Sequence, residues 1–227
     1  EGVVRYQYFR VDPGFKEDKW IQAAELLPGN RAVVHHILAF AKGPGGRSGS
    51  GGLDGFLVGY VPGLRARPFP EGMAKKIAAG SELIFQVHYT PIGSSQLDLS
   101  KIGFVFADPE KVKYEVKTTS AAQRSLRIPP GDENYRVTAV SRSSREEALL
   151  LGYMPHMHVR GKAFRYEAMA RDGSREVLID VPNFDFNWQT SYRLSEPIKL
   201  AAGTRIYCVA HFDNSESYTN QKKEWKI

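Results

Sequence analysis

The chain has 227 residues, and its content of 42% hydrophobic and 25% charged residues is that of a globular protein, which excludes a disordered or collagen-like chain. The net charge is +6, and residues 1–114 and 115–227 contribute +3 each with both signs interleaved, so no basic surface that binds nucleic acid is expected. No stretch reaches the ~18 uncharged apolar residues that a transmembrane segment needs.

Short segments rich in β-branched and aromatic residues recur along the chain, and such segments are typical of strands. Turn signals built from Gly, Pro, Asn and Asp separate them, which predicts an all-β sandwich or barrel. The best helical candidate, residues 146–151, is too short to predict a helix. The predicted strands are residues 3–9, 82–89, 102–106, 135–140, 163–168 and 204–210.

A polar segment in the middle of the sequence predicts a domain boundary. Residues 118–127 have few large apolar side chains, and Pro129-Pro130-Gly131 follows them. We therefore expect two tandem antiparallel β-sandwich domains of jelly-roll type, residues 1–120 and 121–227, with one large sandwich as the alternative. The Gly- and Ser-rich residues 43–52 are expected to form a surface loop. The chain begins at Glu1 without a signal peptide, so we interpret it as a mature fragment or a piece of a longer protein with further domains.

The six histidines all lie in or beside apolar, strand-like segments, and a buried imidazole must be hydrogen-bonded or bound to a metal. His156 and His158 flank Met157. Because alternate residues of a strand point to one face, both imidazoles are expected to reach one ion. Residues 159–163 lack the carboxylate that a cupin-type metal site would require.

His35, His36 and His88 are a second set of candidate ligands. Adjacent residues of a regular strand point to opposite faces, so His35 and His36 can bind one ion only if the strand bulges or bends, or if they use different ring nitrogens. His88 shares a strand face with Gln86. A structural core histidine is the alternative for His88 and for one of the pair His35 and His36. Nitrogen donors without thiolates and with few carboxylates suit copper or zinc, and the residue types alone do not choose between them.

Three blocks of the sequence resemble the copper type II, ascorbate-dependent monooxygenases, the family of the peptidylglycine α-hydroxylating and dopamine β-monooxygenases. Their order and approximate spacing agree with the family over most of the chain, and the form found here is similar to the bacterial branch. The blocks are residues 32–38, 86–89 and 156–162, with a weaker match at 203–209.

The resemblance implies two β-sandwich domains with one copper ion each, in a secreted or periplasmic enzyme. Such an enzyme uses dioxygen and ascorbate, or another reductant, to hydroxylate a C–H bond of a small or peptide-like substrate. His35, His36 and His88 match ligands of the electron-transfer copper in the first domain. His156 and His158 match ligands of the catalytic copper in the second. Two ions are needed because one ion that cycles between Cu(I) and Cu(II) delivers only one electron.

The chain departs from the family pattern in three ways. The family's catalytic copper takes a methionine from beyond the Cys208 region, whereas the last methionine here is Met169. Either the chain stops before that ligand or another residue serves, and we expect His211 to be the substitute. The single cysteine excludes the family's disulfides within this chain. Met154 replaces the arginine that binds the peptide carboxylate in the amidating enzyme, which disfavours peptide amidation.

Two other functions stay open at this stage. The first is a non-catalytic copper-binding or electron-transfer β-sandwich module of a larger protein, which the missing methionine favours. The second is a zinc-stabilised binding domain without redox chemistry. The sequence does not indicate the substrate, the oligomeric state or the physiological reductant.

Overall fold

The computed structural model describes residues 4–46, 53, 55–61, 67–186, 188 and 190–218. These residues form strands, turns and a single 3₁₀ turn, so the prediction of an all-β protein is confirmed. Most of the loop expected at residues 43–52 lies outside the described residues. Within the described ranges, no helix is long and apolar enough to cross a membrane.

Two compact units make up the chain, Glu1–Thr119 and Ser120–Ile227, and they divide one residue before the boundary expected from the sequence. Nine elements form the described part of the first unit. They are β1 (Gln7–Val11), β2 (Lys19–Leu27), β3 (Val34–Lys42), β4 (Phe56–Tyr60), β5 (Met73–Ile77), β6 (Glu82–Tyr89), β7 (Lys101–Phe106), the 3₁₀ turn Pro109–Lys111 and β8 (Tyr114–Glu115).

The strands of the first unit form two four-stranded sheets, in the orders β1-β6-β3-β4 and β7-β2-β5-β8. All neighbours are antiparallel except β5 and β8, which pair in parallel. Leu26 of the second sheet packs with Ile37 and Val87 of the first, so the two sheets enclose a common core. A further buried cluster also joins residues of both sheets, namely Ile21, Leu57, Ile77 and Leu83. This arrangement is sandwich-like.

The described strands of the second unit are β9 (Tyr135–Val140), β10 (Ala148–Tyr153), β11 (Gly161–Met169), β12 (Arg175–Val181), β13 (Tyr192–Leu200) and β14 (Arg205–Phe212). They form an antiparallel sheet in the order β12-β11-β14-β9 and a separate β10-β13 pair. The two layers meet where Tyr153 of β10 packs on Tyr166 of β11, with ring centroids 5.1 Å apart. Phe164, Cys208 and Phe212 form the centre of the core.

Lys75 is a buried cation that links the two sheets of the first unit. It lies on β5 and is only 6% exposed. Its Nζ donates hydrogen bonds to the carbonyl oxygens of Phe56 and Leu57, at 2.7 and 3.1 Å, and to Oγ1 of Thr118 at 2.9 Å. Since Phe56 and Leu57 belong to β4, this one ammonium group connects strands of opposite sheets. Burial lowers the pKa of Lys75 to about 8.

Replacement of Lys75 by methionine tests whether burial lowers the pKa of Lys75. Methionine keeps much of the apolar stem but lacks the titrating group. The pKa of Lys75 in the folded state lies below the ordinary value of 10.5, so the folded state binds fewer protons than the unfolded state between pH 8 and 10.5. The wild-type free energy of unfolding should therefore rise relative to Lys75→Met by about 3 kcal/mol across that window. Urea denaturation at each pH measures the difference, and a pH-independent difference would contradict the assignment.

Candidate metal centre

An irregularity in strand β3 places two adjacent histidines on the same side of a sheet. The pairing of β3 with β6 shifts register between Val34 and His36, so His35 lies in a β-bulge or a similar break of the ladder. After the shift, His36 lies directly opposite His88 of β6. A bulge or bend was one of the ways in which His35 and His36 were expected to reach one ion, and the structure contains such a break.

His35, His36 and His88 form a compact group, which we call the three-histidine cluster. Each offers a ring nitrogen, and these nitrogen atoms all lie within 4.8 Å of one another. The ring centroids are separated by 5.3 Å for His35–His36, 5.3 Å for His35–His88 and 5.0 Å for His36–His88. The Nδ1 atoms of His35 and His36 are 3.1 Å apart. The three rings therefore form a nearly equilateral triangle.

The size of this triangle fits a single metal ion. Three imidazole nitrogens at ~2.0 Å from one ion, with angles near tetrahedral, place their ring centroids about 5 Å apart. The observed separations of 5.0 to 5.3 Å match this value. The group that the described residues form contains only imidazoles, and three neutral nitrogen donors suit copper or zinc.

The polar environment of His88 also fits a metal ligand. Among the described residues, no group forms a hydrogen bond with its buried Nδ1 atom. Buried ring nitrogens are ordinarily paired, so this atom is an exception that a bound ion near the ring would explain. Burial, and secondarily the neighbouring His35, lower the pKa of His88. The lowered pKa favours the neutral imidazole, which is the form that binds metals.

Tyr6, which immediately precedes β1, contacts two imidazoles of the cluster. Its ring centroid is 4.9 Å from that of His88 and 5.6 Å from that of His36. Tyr6 belongs to the predicted strand 3–9, and no pattern in the sequence indicated a role for it at a site. No local signal distinguishes it from Tyr8, because the contact depends on how β1 pairs with β6.

In the second unit, the segment that connects β10 with β11 presents His156 and His158 together. Both are exposed, whereas Pro155 and Met157 are buried, so the segment has the side-chain alternation of a strand without forming a sheet ladder. The two imidazole centroids are 5.2 Å apart, a separation close to those within the three-histidine cluster. The expectation that both rings lie on one side of the chain is met in the described structure.

Among the described residues, no His, Cys, Asp or Glu side chain joins this histidine pair as a third donor. His211 lies on β14 and points away from the core, with its Nδ1 3.2 Å from Oδ1 of Asn134. It forms no three-donor group with His156 and His158 within the described part of the chain. The role of His211 as the third ligand therefore stays a prediction.

The sulfur atoms of the second unit lie in different environments. Met157 is 2% exposed and packs in the core beside Phe164. Cys208 is also buried, and burial raises the pKa of its thiol to about 12, so the thiol is protonated at neutral pH. Met154 is 43% exposed and, by the alternation of the segment, faces the same side as His156.

A comparison of the chain with protein-family models gave no match, and a comparison with curated proteins gave no significant match. The resemblance to the copper type II monooxygenases therefore rests on the sequence blocks alone.

The burial of Met157 predicts that it anchors the histidine pair. Met157→Ala should lower the free energy of unfolding by about 3 kcal/mol, because it leaves a cavity in the core. Met157→Leu conserves most of the volume and should cost less than about 1.5 kcal/mol. Met154→Ala, three positions earlier and exposed, is the matched control and should change stability by less than about 0.5 kcal/mol. Equal losses for the two alanine variants in urea denaturation would refute the anchoring role.

Proposed function

We propose that the protein is a copper-dependent monooxygenase related to the copper type II, ascorbate-dependent family. In this proposal it uses dioxygen and ascorbate, or another reductant, to hydroxylate a C–H bond of a small or peptide-like substrate. The observation that carries the proposal is the three-histidine cluster, with its nearly equal ring separations of 5.0 to 5.3 Å. The histidine pair of the second unit supports it, because the proposed chemistry needs two sites.

The two sites have donor sets that suit different tasks. Copper would supply one-electron transfer at the three-histidine cluster and activation of dioxygen at the histidine pair. His36 and His88 face each other on hydrogen-bonded strands, and a strand framework holds ligands more precisely than a loop does. This rigid placement favours electron transfer, since the ligands need little rearrangement between oxidation states.

The histidine pair suits the proposed catalytic role because it leaves positions around an ion available. His156 and His158 supply two donors, and both are exposed to solvent, so dioxygen and a substrate have access to them. Catalytic metal sites need such open positions, whereas structural sites fill them with protein ligands. The exposed thioether of Met154 on the same side favours an uncharged part of a substrate over a carboxylate.

A second candidate function is a non-catalytic copper-binding or electron-transfer module. One observation favours it: among the His, Cys, Asp and Glu side chains of the described residues, the only three-donor group is in the first unit. A module that carries electrons would need this cluster and no substrate site. A zinc-stabilised binding domain has the same donor requirement but no redox chemistry.

Metal counting with single-site variants tests the proposal. Purified protein that is offered copper and zinc together should bind two copper ions per chain. His88→Ala should lose the copper of the first unit, and His156→Ala should lose the copper of the second, because each removes one donor of a small set. Ascorbate-dependent oxygen consumption should disappear in His156→Ala and slow at least about tenfold in His88→Ala. Elemental analysis and an oxygen electrode provide the measurements.

The other outcomes separate the candidate functions. Copper bound at the cluster without oxygen consumption would favour the electron-transfer module, and selective binding of zinc would favour the binding domain. Unchanged metal content in both variants would refute the ligand assignment. A parallel His211→Ala variant tests the third ligand. Loss of the second copper in this single variant would assign His211 to the pair, and retention of that copper would exclude it.

A further inference from the structure

Among the described residues, Tyr6 is the tyrosine whose ring contacts the three-histidine cluster, at 4.9 Å from His88 and 5.6 Å from His36 between ring centroids. We propose that Tyr6 is a positioning residue of this cluster, and this inference rests on the proposed function. Its ring holds the imidazoles of His36 and His88 in the orientation that binds copper and shields one side of the ion from water. In this role, Tyr6 contributes to the copper affinity and to the reduction potential of the electron-transfer site.

The sheet register explains why Tyr6 reaches the cluster. β1 pairs antiparallel with β6, and Gln7 lies opposite Val87. Tyr6 immediately precedes β1 and His88 follows Val87, so continuation of this register places Tyr6 opposite His88. On the other side of β6, His88 lies opposite His36 of β3. Tyr6, His88 and His36 therefore form one row across three neighbouring strands, on the same side of the sheet.

Within this row, the Tyr6 ring leans over the cluster. Neighbouring strands are about 4.8 Å apart, so the backbones of Tyr6 and His36 are separated by roughly twice that distance. Their ring centroids are nevertheless only 5.6 Å apart. The ring of Tyr6 is tilted by 45° to the His88 ring and by 52° to the His36 ring, so one aromatic ring packs against both ligands.

Two physical consequences follow from this contact. Packing restricts rotation of the two imidazoles, and a ligand that is already oriented loses less conformational entropy when it binds an ion. Exclusion of water from one side of the site also favours Cu(I), the less charged state, over Cu(II). Tyr6 itself is 51% exposed, so it covers the cluster as a partial shield. His35 is exposed as well, which leaves that side of the cluster accessible.

Tyr8 offers a matched control on the same strand. It lies two residues further along and therefore on the same face as Tyr6, and it is 60% exposed. Its hydroxyl accepts a hydrogen bond of 2.6 Å from Nε2 of Gln86. Among the described residues, the aromatic contacts of the histidines include Tyr6 but not Tyr8. Removal of either tyrosine deletes a similar exposed side chain, and only one of the two touches the cluster.

The test uses the full chain with His156→Ala added to every form, so that bound copper reports on the cluster alone. Tyr6→Ala should weaken Cu(I) binding about tenfold, as loss of a supporting side chain around a metal site typically does. It should also shift the Cu(II)/Cu(I) potential to a lower value and change the Cu(II) electron paramagnetic resonance spectrum. Tyr6→Phe should restore all three properties, because it keeps the ring. Tyr8→Ala should match the parent protein.

A measurement without metal makes the inference independent of copper loading. Carbon-13 NMR relaxation of the imidazole rings in the metal-free protein should show greater motion of the His36 and His88 rings in Tyr6→Ala than in Tyr8→Ala. Equal ring motion in the two variants, or equal copper affinity and potential, would overturn the role of Tyr6. Failure of the parent protein to bind copper would instead refute the proposed function, and ring motion would still decide whether Tyr6 positions the imidazoles. Circular dichroism confirms that each variant is folded.

Discussion

The pairing of β3 with β6, together with its register shift at His35, is the constraint on which the candidate metal centre depends. A regular ladder would direct His35 and His36 to opposite faces of the sheet, and no ion would contact both. The shift places both imidazoles beside His88, on the side of the sheet that faces away from the core. The hydrophobic residues that alternate with the site, such as Ile37 and Val87, hold the two strands in this register because they are buried between the sheets.

The histidine pair of the second unit is built in a different way. His156 and His158 come from one extended segment, and the burial of Met157 between them is enough to turn both rings outward. One segment therefore supplies two donors without the help of a distant strand. Any further ligand must come from another part of the chain. The three-histidine cluster, by contrast, gathers its donors across two strands. This difference matches the division of tasks that we propose, since an electron-transfer site benefits from a fixed ligand set and a catalytic site needs open positions.

The buried polar groups of the first unit separate structural positions from functional ones. Lys75 is enclosed, yet its ammonium group donates to three oxygen acceptors that the protein supplies. The buried Nδ1 of His88 has no such partner among the described residues. Folded proteins rarely leave a buried polar atom unpaired, because desolvation without a hydrogen bond costs free energy. Within the first unit, the contrast between the fully paired ammonium group and the unpaired ring nitrogen supports the proposal that the cluster binds a ligand.

The sequence predicted the all-β class, the strands 82–89 and 135–140, and the shared face of His156 and His158. These features depend on residue types and on the period of two within a strand. Strands 82–89 and 135–140 have the predicted bounds, whereas the weak helical pattern at 146–151 overlaps strand β10. The sequence did not predict which strands pair or in which register, because contacts between distant segments decide both. The tertiary structure alone therefore decided that β3 breaks its ladder at His35, that His211 lies beside Asn134, and that Tyr6 reaches the cluster.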